Sequence, residues 1–130
     1  MASVFNYEKA GLWFRPIIPI TIRHKKHEVG YLALLDSGAD FNIFHSDIAK
    51  ILKINVTKFR KFKFSGIKSG AEGEGSFVEL YIGVNHIFFK TLAVFSDDIS
   101  DNGYGILGQQ GFFNHHVIQF DYSKKTIRIR

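Results

Sequence analysis

The sequence predicts a mainly β protein with one or two short helices. Its 130 residues include 12 glycines spread among many short apolar runs, a pattern typical of strands joined by turns. Hydrophobic residues make up 45% of the chain and charged residues 22%, which excludes disorder as the overall state. No internal repeat or low-complexity linker divides the chain, so we expect a single domain over residues 1–130.

The first half of the chain predicts two strands that lead to an acidic turn. Leu12–Arg23 is apolar and β-branched but contains Pro16 and Pro19, which fits an edge or terminal strand better than a central one. Val29–Leu35 is a short apolar run and is typical of a buried strand. This second strand leads directly into Asp36.

Beyond the acidic turn, the pattern predicts one short amphipathic helix and then further strands. Val56–Ile82 is predicted to be a long hairpin whose tip is the glycine-rich stretch Ser65–Ser76. The remaining predicted strands, the last two of which are joined by a turn, are His86–Phe95, Ile106–Gly108, Val117–Phe120 and Thr126–Arg130.

Composition excludes several classes of site. The chain has no cysteine, which rules out disulfide frameworks, thiol catalysis and Cys-ligated zinc. Its histidines match no zinc signature, and we expect neither a metal nor another cofactor. No apolar run approaches the roughly 18 residues of a membrane helix, and the first residues lack the apolar core of a signal peptide. We therefore expect a cytoplasmic protein that does not associate with membranes.

A basic, aromatic segment raises the alternative of nucleic-acid binding. Lysines and arginines alternate there with phenylalanines, and the net charge of the chain is +5. Such segments can bind single strands by charge and stacking. A strand with a Phe-rich core face and a solvated basic face explains the same pattern, and no nucleic-acid motif accompanies it. We expect no nucleic-acid partner. The basic residues are Lys58, Arg60, Lys61 and Lys63.

Asp36 is the most informative residue of the sequence. A charge at the end of an apolar strand is costly unless it is paired or hydrogen-bonded. Ser37 and Gly38 follow, and both residue types favour a tight turn. Taken alone, these three residues are explained by an ordinary Asx-type turn.

The motifs around this turn resemble those of the retropepsin-like, or retroviral-type, aspartic proteases. Four segments match the family's motifs in order. They are Leu12-Trp13-Phe14-Arg15-Pro16 near the N-terminus, the catalytic signature Leu34-Leu35-Asp36-Ser37-Gly38-Ala39-Asp40, the flap-like Phe64-Ser65-Gly66-Ile67, and the apolar-apolar-Gly motif Ile106-Leu107-Gly108 that follows Gly105. The resemblance implies an acid-protease closed β-barrel half-lobe and an aspartic endopeptidase activity on a peptide or protein substrate.

The chemistry of this family requires two carboxylates that share one proton, so that one acts as general base on water while the other polarises the scissile carbonyl. This chain has a single Asp-Ser-Gly. Its nearest repeat, Asp101-Asn102-Gly103, lacks the hydroxyl and the preceding apolar strand. The resemblance therefore implies a homodimer whose cleft lies at the two-fold interface, with Asp36 supplied by each copy.

The resemblance also implies roles for the residues around Asp36. Ser37 would bond across the dimer, Gly38 would bond substrate backbone, and Asp40 would contact substrate and pair with Arg15. The second arginine of the family's ion-pair set is replaced here by Gln109. This replacement removes a charged bidentate partner, and the added C-terminal hairpin predicts a differently built dimer sheet.

The flap implied by the resemblance is the glycine-rich hairpin tip. Such a tip can close over a peptide and exclude water. Its best matched positions are Ser65, Gly66, Ile67 and Lys68. A catalytically silent dimerisation or peptide-binding module on the same fold is the alternative function, and Gln109 and the C-terminal hairpin are the features that favour it.

Overall fold

Twelve strands and one α-helix are present in the part of the chain described by the computed structural model, which covers residues 2–68, 71–99 and 103–130. Within these ranges, the side chains of residues 64–68 and 71–72 are not described. The strands form sheets of three, seven and two members. The predicted mainly β fold is confirmed.

The strands, in chain order, are β1 (Ser3–Asn6), β2 (Glu8–Ala10), β3 (Trp13–Arg15), β4 (Ile17–His24), β5 (His27–Leu35), β6 (Ile43–His45), β7 (Lys61–Lys68), β8 (Ala71–Val84), β9 (Ile87–Ser96), β10 (Tyr104–Leu107), β11 (Ile118–Asp121) and β12 (Thr126–Ile129). The helix is α1 (Ser46–Ile51), and two 3-10 helices span Val56–Lys58 and Phe113–His115.

The seven-stranded sheet closes into a barrel. Its order is β4-β5-β10-β6-β9-β8-β7, and β4 pairs in addition with β8, so that six strands close the ring and β7 extends from β8 outside it. The prediction that Leu12–Arg23 is one edge strand is therefore wrong: the segment is divided at Pro16, and β4 has a neighbour on each side. Pro19 is accommodated because β8 pairs only with Thr21–Arg23, so no ladder donor is needed at Pro19 on that side.

The barrel interior is filled by aliphatic and aromatic side chains from alternate strand positions. Burying each of these large side chains stabilises the fold by about 1.5–3 kcal/mol relative to exposure. The fully buried members of this core include Ile18, Ile22, Phe44, Leu80, Ile82, Phe95, Leu107 and Phe112.

A parallel pair of strands lies beneath the acidic turn. β10 runs parallel to β5, with Ile106 opposite Leu34 and Leu107 opposite Leu35. One face of this pair is buried, with Ala33 and Leu35 beside Gly105 and Leu107, while Leu32 on the other face is 42% exposed. Val29–Leu35 is therefore a strand as predicted, but only one of its faces is buried. The strand predicted at Ile106–Gly108 is confirmed and begins slightly earlier, at Tyr104.

The predicted hairpin that contains the glycine-rich stretch is present but starts later than expected. Val56–Lys58 is a 3-10 helix and not a strand, because the Asn55 side chain accepts the Thr57 N–H at 3.1 Å and caps a helical turn. β7 then pairs with β8, with Lys61 opposite Ser76. The predicted tip Ser65–Ser76 includes Ser69 and Gly70, which lie outside the described residues.

The chain ends meet in the three-stranded sheet, whose order is β1-β12-β11. The predicted C-terminal hairpin is confirmed as β11 and β12, and Ile127 and Ile129 face the core. The strand β1 was not predicted. It pairs antiparallel with β12, and Phe5, opposite Ile127, packs against the core.

Candidate active site

The acidic turn follows β5 at the point where that strand ends beside β10. The Asp36 N–H donates to the Leu107 carbonyl at 3.0 Å, which continues the β5–β10 pairing by one residue. The Ala39 N–H then donates to the Asp36 carbonyl at 3.1 Å and closes a tight turn. Asp36 is thus held by backbone contacts at the end of this strand pair, while its side chain is partly exposed.

The carboxylate of Asp36 is oriented by its own turn. The Gly38 N–H donates to Asp36 Oδ1 at 2.9 Å. A Cβ atom at position 38 would lie 3.3 Å from the same oxygen, so glycine leaves this carboxylate unobstructed. In the described part of the chain, this is the only hydrogen bond to the Asp36 side chain. Its other oxygen is therefore available to a ligand or a second carboxylate.

The segment after β10 supports the turn from behind. Gln109 and Gln110 donate backbone N–H groups to the carbonyls of Ala39 and Asp40, at 2.9 and 2.7 Å. The Gln109 side chain also donates from Nε2 to the Ser37 carbonyl at 2.5 Å. Three hydrogen bonds therefore connect the acidic turn to Gln109 and Gln110, which lie some 70 residues later in the sequence.

Gly108 is required by close approach of two backbones. A Cβ atom at this position would collide with the carbonyl group of Phe41 and lie 2.8 Å from the carbonyl oxygen of Ala39. Ile106, Leu107 and Gly108 thus lie directly behind the acidic turn, where the sequence motif predicts them.

Asn42 is a buried polar residue that sequence reasoning missed. Its side chain is fully buried and accepts the Gly108 N–H at 3.1 Å, while its Nδ2 donates to the Leu92 carbonyl at 3.0 Å. It thereby connects the acidic turn, β9 and the segment after β10. An amide inside the apolar run Phe41–Phe44 is the signal that could have found it, because buried polar groups are nearly always bonded.

The β7–β8 hairpin contacts the loop that follows Asp40 through three phenylalanines. The Phe41 ring lies 5.0 Å from Phe62 and 5.1 Å from Phe77, and the last two rings lie 4.8 Å apart. The two pairs made by Phe41 are edge-on, an arrangement that adds roughly 0.5–1.5 kcal/mol per pair beyond burial. Phe62 and Phe77 belong to different strands, so the base of the hairpin is fixed to the loop after the acidic turn.

The other predicted site residues divide into two groups. Ser65, Gly66, Ile67 and Lys68 lie in β7, but their side chains are outside the described set, as are Asp101 and Asn102 of the repeat considered above. Arg15 and Asp40 are both exposed, and within the described residues no hydrogen bond or ion pair joins their side chains. Their pairing stays a prediction for an interface between two copies.

A scan against protein-family models and a search of curated proteins found no match for this chain. Solved structures do match. A retropepsin-like aspartic protease from Rickettsia conorii aligns with a TM-score of 0.68 and 15% sequence identity, covering 98% of each chain. The EIAV protease, solved with the inhibitor HBY-793, aligns with a TM-score of 0.54 and 24% identity over 78% of this chain and 88% of that one.

The first of these alignments spans nearly the whole chain. At such identities, shared structure establishes the fold, while activity depends on the site itself. The closed barrel, the parallel pair β5–β10 and the two alignments together show that this chain has the fold of the retropepsin-like aspartic proteases.

Proposed function

We propose that the chain is an aspartic endopeptidase with Asp36 as its catalytic carboxylate. One observation carries the proposal. Asp36 is partly exposed at the end of the parallel strand pair β5–β10, and one of its carboxylate oxygens is fixed by the Gly38 N–H at 2.9 Å. A functional group held on rigid elements by a supporting shell is what catalysis needs, and the fold supports this chemistry.

The reaction requires a second carboxylate, which a second copy of the chain supplies. One Asp36, ionised, removes a proton from water, and the resulting hydroxide attacks the peptide carbonyl carbon. The other Asp36, protonated, donates its proton to the carbonyl oxygen. The tetrahedral intermediate collapses when the C–N bond breaks. The leaving nitrogen takes the proton held by the first Asp36, and one hydroxyl of the intermediate returns a proton to the second Asp36 as the product carboxyl group forms. Neither a covalent intermediate nor a cofactor is needed.

The substrate is an extended peptide bound between the acidic turn and the β7–β8 hairpin. Strand-like binding uses main-chain hydrogen bonds, which exposed backbone groups such as the Gly38 carbonyl can supply. The hairpin serves as the flap, and Ser65, Gly66, Ile67 and Lys68 are its positions proposed to bind substrate. The contact of Phe41 with the hairpin base supports this assignment, because it holds the hairpin against the loop after Asp40.

The two copies pair along β11. This strand forms one edge of the terminal sheet. Val117 and Arg130 exchange two backbone hydrogen bonds, at 2.7 and 3.0 Å. Because such bonds alternate along an antiparallel strand, the N–H and C=O groups of Ile118 and Phe120 face away from β12. An edge of this kind is a template for another strand.

The side chains on β11 support the same contact. Phe120 is 41% exposed, although its cross-strand neighbour Ile127 is fully buried. In an antiparallel pair of β11 strands centred on Gln119, Phe120 of one copy lies opposite Ile118 of the other, on the same face of the sheet. Pairing would therefore satisfy the open backbone groups and cover an exposed aromatic ring in one step.

The deciding experiment is cleavage of a mixed peptide library, read by mass spectrometry, at several pH values and enzyme concentrations. We expect cuts by the wild type that fall by at least about a thousandfold in Asp36→Asn, since that change removes the base and the shared proton. We also expect specific activity to rise with concentration. Cuts that persist unchanged in Asp36→Asn would contradict the proposal.

A silent peptide-binding module is the second candidate, and Gln109 is the observation that favours it. A glutamine in this position removes the charged partner expected for Asp40, which weakens the framework of a working dimer. In that case the wild type would bind extended peptides without cutting them, and Asp36→Asn would bind them equally well. Isothermal titration with an uncut library fraction would detect this binding.

A further inference from the structure

Gln109 is attached to the acidic turn at two points. Its backbone N–H donates to the Ala39 carbonyl at 2.9 Å, and its side-chain Nε2 donates to the Ser37 carbonyl at 2.5 Å. The side chain is exposed to solvent and yet makes a short, specific hydrogen bond to a residue far away in sequence. For most exposed glutamines, a hydrogen bond of this kind adds little stability, because fixing the side chain in one rotamer costs conformational entropy.

The peptide unit between Ser37 and Gly38 joins this contact to the carboxylate. Its C=O accepts from Gln109, and its N–H donates to Asp36 Oδ1 at 2.9 Å. A peptide unit is planar, so fixing the direction of the C=O also fixes the direction of the N–H. Donation to the carbonyl polarises the same unit and strengthens the hydrogen bond that its N–H makes.

We propose that Gln109 is a positioning residue for Asp36, acting through the Ser37–Gly38 peptide. This inference rests on the proposed catalytic role of Asp36. Gln109 orients the carboxylate by way of the backbone and never touches the reacting atoms. Because the glutamine amide is neutral, it fixes the turn without placing a cation beside the carboxylate.

The neighbouring residue provides a matched control. Gln110 also donates its backbone N–H to the acidic turn, at 2.7 Å from the Asp40 carbonyl. Its side chain is exposed and, within the described residues, makes no side-chain hydrogen bond. Gln110→Glu thus adds the same charge as Gln109→Glu at nearly the same place, while the contact to Ser37 is retained.

The first test is spectroscopic and does not depend on activity. Gln109→Glu keeps the side-chain length but replaces the donor by an acceptor, and Gln109→Met removes the donor without adding charge. In both variants we expect the Gly38 amide proton to move upfield and to exchange about fivefold to tenfold faster, as for loss of one hydrogen bond. The Gly30 amide, on β5, serves as the reference that does not move. A Gly38 amide that is unchanged in both variants would overturn the inference.

The second test is kinetic and uses peptides that the library experiment identifies as substrates. We expect Gln109→Glu and Gln109→Met to lower kcat by about tenfold to a hundredfold with little change in KM, the pattern of a lost transition-state interaction. Gln109→Arg, which restores a donor, should recover part of kcat, and Gln110→Glu should match the wild type. Equal loss in Gln109→Glu and Gln110→Glu, or a change in KM alone, would contradict positioning. If the wild type cuts no peptide, the proposed function fails, while the Gly38 spectrum still decides the role of Gln109.

Discussion

The acidic turn and the β11 edge differ in where their backbone hydrogen bonds are satisfied. At the turn, the carbonyls of residues 36, 37, 39 and 40 each accept a hydrogen bond from within the same chain. At β11, the N–H and C=O groups of Ile118 and Phe120 face an edge at which, in the described residues, no strand pairs. Among the described residues, the carbonyls of the turn other than that of Gly38 are thus bonded within one copy, whereas the β11 edge has no partner strand.

This difference separates two requirements of a shared active site. The geometry of each Asp36 is set inside one copy, by β10 and the segment after it. The meeting of two Asp36 residues depends on a different part of the molecule. We therefore expect changes at the turn to affect folding and catalysis at any concentration, and changes at β11 to act only through association.

The largest effect is expected from a substitution behind the acidic turn. Gly108→Ala places a methyl group against the backbone of Phe41 and Ala39. Backbone atoms cannot move aside as the end of a flexible side chain can. We expect the free energy of unfolding to fall by about 3 kcal/mol, measured by urea denaturation. Gly30→Ala is the control, since a Cβ atom there meets no heavy atom within 4 Å and should change stability by less than about 0.5 kcal/mol. Equal losses in the two variants would show that the close approach at Gly108 does not limit stability.

The next largest effect is expected from a substitution on the β11 edge that leaves the acidic turn unchanged. Phe120→Lys puts a charge beside the unpaired edge, a common way in which proteins block strand pairing. We expect the dimer dissociation constant to rise at least tenfold, about 1.4 kcal/mol, by analytical ultracentrifugation.

Tyr81→Lys is the matched control for that change. Tyr81 is an aromatic residue on β8 with the same 41% exposure, but it lies away from β11 in the sheet order. Its replacement should leave the dissociation constant unchanged, and the Gly38 amide signal should be the same in both variants. A dimer that is equally weakened by both lysines would rule out β11 as the contact.

The smallest effect concerns the segment that joins the two regions. Burial lowers the pKa of His116. The hydrogen bond of its ring with the Phe112 carbonyl offsets this shift only in part. The unfolded chain therefore binds the proton more readily, and the free energy of unfolding falls as pH drops below about 6.5. His116→Gln should flatten this decline between pH 7 and 5, measured by urea denaturation at each pH. A decline between pH 7 and 5 that is unchanged in His116→Gln would assign the effect to other groups.

Much of the fold follows from local pattern. The apolar runs around Leu35 and Leu107 predict buried strands, and the turn chemistry after each is readable in the residues. The C-terminal hairpin follows from alternation, with Ile127 and Ile129 on one face. These elements were predictable because their own residues determine both the strand and the turn that ends it.

The features that were missed depend on partners distant in sequence. The strand β1 exists because β12, more than a hundred residues later, pairs with it. The two-sided pairing of β4 and the bonds of Asn42 have the same origin. The side-chain contact of Gln109 could not be read from its position, since the resemblance predicted only the loss of an arginine. Long-range contacts of this kind leave little trace in local pattern.

The long strand β8 is attached to the end of β9 where it passes from the hairpin into the barrel. Its fourteen residues run from the hairpin into the barrel wall, and near Glu74 it is clamped to the end of β9. There Ser96 Oγ donates to the Glu74 carbonyl at 2.5 Å, Asp98 accepts the Glu74 N–H at 2.9 Å, and a Cβ atom on Gly75 would lie 2.6 Å from the Phe95 carbonyl oxygen. The β7–β8 hairpin is therefore fixed to the end of β9 at Glu74 and Gly75. A shift of β8 at this point would break both hydrogen bonds and press residue 75 against the Phe95 carbonyl, so this part of β8 is held beside the end of β9.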